Sequence, residues 1–274
     1  MLKSHDNGFS RAFGPTTLLL LGLMLGGFAQ AQGAVSSTEA VHQRWVDSAS
    51  AGLDPQAMQT LQRIHGVDQR LLALRSYLRA ADSLALRWSW SQEALAQYPS
   101  TSEGKAASAN IDAVVATFAK ENPGYELRVN RQPRSLEMQL AHWNKNASVA
   151  AAAASLVEAL DRRFADSSSV TGRELRDALI HWMTPGTAAV LAAPGLSAHG
   201  QGRAFDFTVI RDGRIVAGLD SASAHAQWDG AGWTRKLHEA MVSSGKPFVG
   251  PLQSPYEPWH YAYTPPDQAA GDAK

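Results

Sequence analysis

The chain has 274 residues, 45% of them hydrophobic and 18% charged, which is enough apolar material for a sizeable core and argues against disorder. Lys and Arg total 25 and Asp and Glu total 25, so there is no basic excess to neutralise phosphates and no polybasic stripe to hold an anionic membrane; nucleic acid is excluded as a partner. Cysteine is absent, which excludes disulfides, thiol nucleophiles and thiolate metal sites, so any metal must be held by histidine and carboxylate.

Lys3 and Arg11 precede an apolar run from Thr16 to Phe28, and Ala29-Gln30-Ala31 supplies the small residues that a signal peptidase reads. Residues 1–31 are therefore expected to be a signal peptide cleaved after Ala31. The run of about 13 apolar residues is shorter than the ~20 that span hydrocarbon as a helix, so no stable membrane anchor is expected after cleavage. Export without cysteine points to a bacterial periplasm.

Residues 32–122 read as a helical N-terminal region. Asp54-Pro55 is a cap and first-turn pair for a helix from Ala57 to Ile64. Leu71, Leu74, Leu78, Ala81 and Ala85 recur at three- and four-residue spacing, which predicts one longer helix between Val67 and Ala96 with a packing stripe along one face. Tyr98-Pro99-Ser100-Thr101-Ser102 breaks the pattern. Ile111, Val114, Val115 and Phe118 restart a helix that stops near Asn122-Pro123-Gly124.

Residues 123–264 have a different texture. Tyr125 to Asn130 alternates like a strand, and helices are predicted over Pro133 to Asn144, Ser148 to Phe164 and Thr171 to Trp182. Ala204 to Ile210 and Arg214 to Leu219 read as strands joined by Asp212-Gly213, a strong hairpin signal. Trp233 to Ser243 reads as one more helix and Trp259 to Tyr263 as a last strand, while residues 265–274 form an expected flexible tail. The fold class predicted is α+β: a helical N-terminal region packed on a small, largely antiparallel sheet.

Two segments carry chemistry. In Ser197-Ala198-His199-Gly200-Gln201-Gly202-Arg203-Ala204-Phe205-Asp206, an imidazole and a carboxylate stand seven residues apart across a glycine-bearing turn that enters an apolar strand. In Glu257-Pro258-Trp259-His260, a carboxylate precedes an imidazole by three residues at the mouth of the last strand. His199, Asp206 and His260 make a cysteine-free ligand set for Zn²⁺ that leaves a fourth tetrahedral position open. Glu257, not itself a ligand, fits the role of a base that takes a proton from water. Ser197 lacks the second glycine of a G-x-S-x-G elbow, so it reads as a substrate-binding hydroxyl rather than a nucleophile. Trp259 is a candidate floor for the site. His181, His225 and His238 match no motif and read as ordinary histidines.

The first segment resembles the S-x-H-x-x-G-x-A-x-D motif, and Glu257-Pro258-Trp259-His260 the E-x-W-H motif, of the D-alanyl-D-alanine metallopeptidases, the group of VanY-type carboxypeptidases and VanX-type dipeptidases related to lysostaphin and hedgehog domains. The likeness covers residues 125 to 263. It implies one zinc ion on His199, Asp206 and His260, with Glu257 as general base. Arg134-Ser135-Leu136-Glu137-Met138-Gln139 resembles the family's R-S-x-x-x-Q segment, which makes Arg134 the candidate oxyanion arginine. Arg131-Gln132-Pro133 stands where the family has S-G-Y, and Arg131 is the rival. The implied substrate is a peptidoglycan stem peptide that loses a terminal D-alanine. An endopeptidase with the same site, or a zinc-stabilised binding or scaffold protein on the same fold, are the alternatives. No residue pattern assigns a role to the helical region or sets the oligomeric state.

Overall fold

The computed structural model describes residues 25–265 apart from Ser168 and residues 184–187, with side chains from Thr38 onward. Most of the expected signal peptide and nearly all of the expected tail lie outside the described residues. The chain divides into two compact units, Met1–Val41 and His42–Lys274. The described part of the first is the leading portion of helix α1 (Leu25–Ser50). No helix among the described residues is long and apolar enough to cross a membrane. All that follows concerns the second unit.

Its architecture is α+β. Helix α2 (Pro55–Gln62) starts as the Asp54-Pro55 pair predicts: the Asp54 carboxylate accepts from the backbone N–H groups of Gln56 and Ala57, and Pro55 occupies the first turn. The single helix expected between Val67 and Ala96 is instead broken into α3 (Val67–Ala80), α4 (Leu84–Arg87) and α5 (Gln92–Gln97). The break lies at Ala81, whose φ of 45° is left-handed and costly for a residue with a Cβ. Leu71 and Leu74 are fully buried as the stripe predicts, whereas Ala81 and Ala85 are exposed. What compensates is tertiary. Beyond the break the backbone N–H of Ser89 donates to Gly195 O at 2.8 Å and that of Trp90 to Gly200 O at 2.8 Å.

Helix α6 (Ser102–Glu121) follows, capped by the Thr101 hydroxyl, and buries Ile111, Val114 and Phe118. Then come β1 (Glu126–Asn130), α7 (Leu136–Lys145), α8 (Ala147–Phe164) and α9 (Gly172–His181). Thr171 and Glu174 close a reciprocal capping box at the start of α9. Strands β2 (Ala204–Arg211) and β3 (Arg214–Ala217) form the expected hairpin, and both turn residues take the positive φ of a type I′ turn, 48° at Asp212 and 73° at Gly213. Helix α10 (Trp233–Ser243) and strands β4 (Phe248–Val249), β5 (Leu252–Gln253), β6 (Tyr256–Glu257) and β7 (His260–Tyr263) are the last elements among the described residues.

The five-stranded sheet is wholly antiparallel and centred on β2. β1 pairs along one edge of β2, and β7 and β3 share the other, with β4 outside β7. Alternation along β2 sends Phe205, Phe207 and Val209 to one face, where they meet Ile111, Val114 and Phe118 of α6 and Trp233, Leu237 and Met241 of α10. Asp206 and Thr208 face the other way. The helical region is not a separate layer: α6 covers the sheet, while α3 packs against α8 and α9 from the later half of the chain.

Candidate metal centre

Asp206 on β2 is paired directly with His260 on β7, and the two side chains rise from the sheet face opposite the core. His199 comes from the short helical turn Ala198–Gln201 that leads into β2. This turn is held from below. Gly200 lies so close to its support that a Cβ there would stand 1.9 Å from Ser89 Oγ and 2.6 Å from Gln139 Nε2. Gln139 Nε2 donates to Ser89 Oγ at 2.9 Å and to Arg134 O at 2.7 Å, while Gln139 Oε1 accepts from Gly195 N at 2.9 Å. Arg134 N donates to His199 O at 3.0 Å. One buried amide thus ties the arginine, the histidine loop and the Ser89 segment together.

The three candidate ligands converge. His260 Nδ1 is 2.9 Å from Asp206 Oδ1, His199 Nε2 is 3.3 Å from Asp206 Oδ2, and one donor atom from each residue lies within 4.8 Å of the others. Donors ~2.0–2.1 Å from a tetrahedral ion stand roughly 3.3 Å apart, so these separations suit a metal, and the set of two imidazoles and one carboxylate can hold one. Burial is nearly complete, with His199 and Asp206 each 3% exposed. Burial drives His199 toward its neutral form, the form that ligates, against the opposing pull of Asp206. Burial also works against the charge of Asp206, but hydrogen bonds from His199 and His260 outweigh it and hold the carboxyl well below the usual range.

Arg134 Nη2 donates to Asp206 Oδ2 at 2.7 Å, so the sequence candidate stands at the site. Arg131 does not: its guanidinium is engaged by Ser108 and Asp112 on α6. Glu257 Oε2 lies 3.7 Å from His260 Nδ1, beside the ligands. Burial pushes its carboxyl pKa up, with the charge of Asp206 adding and those of His260 and Arg134 opposing.

A cleft of about 340 Å³ opens over these groups and is lined by Arg134, Ser197, His199, Glu257 and His260. That volume is at the small end of ligand sites. Trp259 is absent from its lining; at 3% exposure it packs in the core, its ring 6.1 Å from that of Trp228, so it does not floor the site. His260 faces the ligands, whereas Trp259, in the turn before β7, and Tyr261 on the strand both belong to the buried core. Arg87 and His142 also line the cleft, and neither was singled out from sequence because each stands alone in a helix without a motif around it. Gln139 stood within a motif-like segment but its anchoring role was not legible there. A larger concavity of about 550 Å³ beside Asp229, Thr234 and Arg235 contains none of the metal donors.

Comparison with protein-family models, with curated proteins and with solved structures gives no match to this chain.

Proposed function

We propose that the chain is an exported zinc peptidase that removes a terminal D-alanine from peptidoglycan stem peptides. The observation that carries this reading is the convergence of His199, Asp206 and His260 to within 4.8 Å, with the unliganded carboxylate of Glu257 beside His260 in the same cleft. Zinc suits two imidazoles and a carboxylate, and three protein ligands leave a position free for chemistry. When bound, the ion supplies Lewis acidity toward a carbonyl oxygen and toward water.

The remaining work falls to side chains. Glu257 Oε2 takes the proton that water loses as it attacks the scissile carbonyl, and returns it to the departing amine nitrogen. Its raised pKa makes it a stronger base than an exposed carboxylate. The Arg134 guanidinium stays charged and can donate to the oxygen on which negative charge develops. Ser197 lines the cleft and is assigned the role of hydrogen-bonding the substrate backbone. The substrate class itself rests on the resemblance of the two site segments to D-alanyl-D-alanine metallopeptidases and on the leader-like start of the chain. Glu257 favours an enzyme over a metal-stabilised scaffold, because a purely structural site has no use for an unliganded carboxylate at its edge.

The test is digestion of a purified stem pentapeptide by zinc-loaded protein, read by mass, alongside metal analysis. Loss of one alanine per peptide is expected. Cleavage of cross-linked muropeptides into two large fragments, with the free pentapeptide untouched, selects the endopeptidase instead. Bound zinc with neither product would reject a peptidase.

A further inference from the structure

Glu257 sits on the hairpin β5–β6, whose strands pair only through Leu252 with Glu257 and Gln253 with Tyr256. A two-stranded ribbon this short has little stability of its own in water, so holding Glu257 in place falls to contacts outside it. Side chains alternate across the ribbon: Leu252 and Glu257 line the cleft, and Tyr256 points to the other side.

On that other side a compact polar cluster waits. Tyr256 OH donates to Asp229 Oδ1 at 2.6 Å. Thr234 Oγ1 donates to the same oxygen at 2.6 Å, and His225 Nδ1 lies 2.7 Å from Asp229 Oδ2. The His225 ring lies flat on the Tyr256 ring, 4.8 Å between centroids and 10° between planes. His225 and Asp229 are the ends of a π-helical turn whose Trp228 is fully buried against Trp259, two residues past Glu257. The turn therefore grips the chain on both sides of Glu257, through Asp229 to Tyr256 and through Trp228 to Trp259. Burial opposes the Asp229 charge, but the bonds from Thr234, Tyr256 and His225 prevail and keep it ionised. Burial and the bond to Asp229 push the Tyr256 phenol up, so it keeps its proton and remains a donor. None of the four polar residues lines the cleft.

We propose that Tyr256, Asp229, Thr234 and His225 form a clamp that positions Glu257, with Tyr256 and Asp229 as its essential pair. The inference rests on the reading of Glu257 as the proton carrier given above.

The experiment compares the full chain with Tyr256→Phe and Asp229→Asn by three readouts: bound zinc, hydrogen exchange across residues 252–257, and steady-state hydrolysis of the stem pentapeptide. Loss of a charge-assisted bond predicts hairpin exchange about tenfold to a hundredfold faster, with exchange in β2 and β7 and the zinc content unchanged. The kcat should fall at least about tenfold while KM stays within about twofold, because a mispositioned base slows chemistry without weakening binding. Unchanged hairpin exchange in both variants overturns the clamp, and so does faster exchange with wild-type kcat. If the wild-type chain hydrolyses nothing, faster exchange still supports the clamp as the anchor of Glu257, and it is the peptidase reading that falls.

Discussion

Gly200→Ala puts the link between the helical region and the metal loop to a direct test. The new Cβ would stand 1.9 Å from Ser89 Oγ and 2.6 Å from Ser89 Cβ, where ordinary contact begins near 3.4 Å. Relief requires Ser89 to move by about an ångström or more, which costs ~1–3 kcal/mol as overpacking. Moving Ser89 Oγ also disrupts its bonds to Gln139 Nε2 at 2.9 Å and Gly195 O at 3.2 Å, about 1 kcal/mol each. The total is about 3–5 kcal/mol. At ~2–4 °C per kcal/mol for a domain of this size, thermal unfolding of the metal-free chain should come roughly 6–20 °C lower. Since Gly200 adjoins His199, zinc affinity should weaken about 10- to 100-fold, as when supports behind a ligand are removed. Ser89→Gly supplies the control. Alone it costs about 2 kcal/mol, the two lost bonds, yet in combination it removes the Ser89 part of the clash and leaves only the 2.6 Å approach to Gln139 Nε2, so the double variant should be no less stable than Gly200→Ala alone. Thermal melts and zinc titration of all four proteins complete the cycle. A Gly200→Ala chain that melts within about 1 °C of wild type and binds zinc equally well would refute the claim that the Ser89 segment carries the metal loop.

Three further outcomes are expected. Glu257→Gln should retain zinc while hydrolysis falls ~10²- to 10⁴-fold. The raised pKa of Glu257 adds stability below its ordinary value near 4.5, and that stability is lost as pH rises through the folded value. Metal-free Glu257→Gln should therefore be at least as stable as wild type at pH 7 and no different near pH 3, as calorimetry at the two pH values would reveal. Arg134→Gln should lower kcat/KM about 100-fold, whereas Arg131→Gln should change it less than about twofold, because the Arg131–Asp112 pair is a largely exposed contact worth ~0–1 kcal/mol; equal losses would contradict the assignment. Zinc at about a thousandfold excess over its Kd should stabilise the chain by ~4 kcal/mol, and His260→Ala should abolish that gain in a melt.

Much of the local structure was legible because its causes lie within a few residues. The Asp54 cap and the Asp212-Gly213 turn are each written in adjacent side chains and backbone preference. The metal candidates were legible for a chemical reason: His199, Asp206 and His260 are ligand types at the entrances to apolar strands, and strand alternation predicts which side they face. The helix break at Ala81 was not legible, since the apolar spacing continues past it. Backbone bonds from Ser89 and Trp90 to Gly195 and Gly200 outweigh that local preference, and their partners lie more than a hundred residues away.

The same division separates the arginines and the tryptophan. Arg131 and Arg134 are three residues apart and chemically identical, and only packing places one against Asp112 on a helix and the other against Asp206 at the site. Trp259 stands between two site residues in sequence yet lies in the core, packed against Trp228 of the π-helical turn about thirty residues earlier in the chain. Sequence by itself determined which groups can bind a metal and where β1, β2, β3 and β7 begin, since both depend on residue type and short-range order, whereas the two-residue strands β4, β5 and β6 were not legible in it. Only the tertiary structure decided which distant groups meet, because those contacts depend on how α6, the Ser89 segment and the π-helical turn pack around β2 and β7.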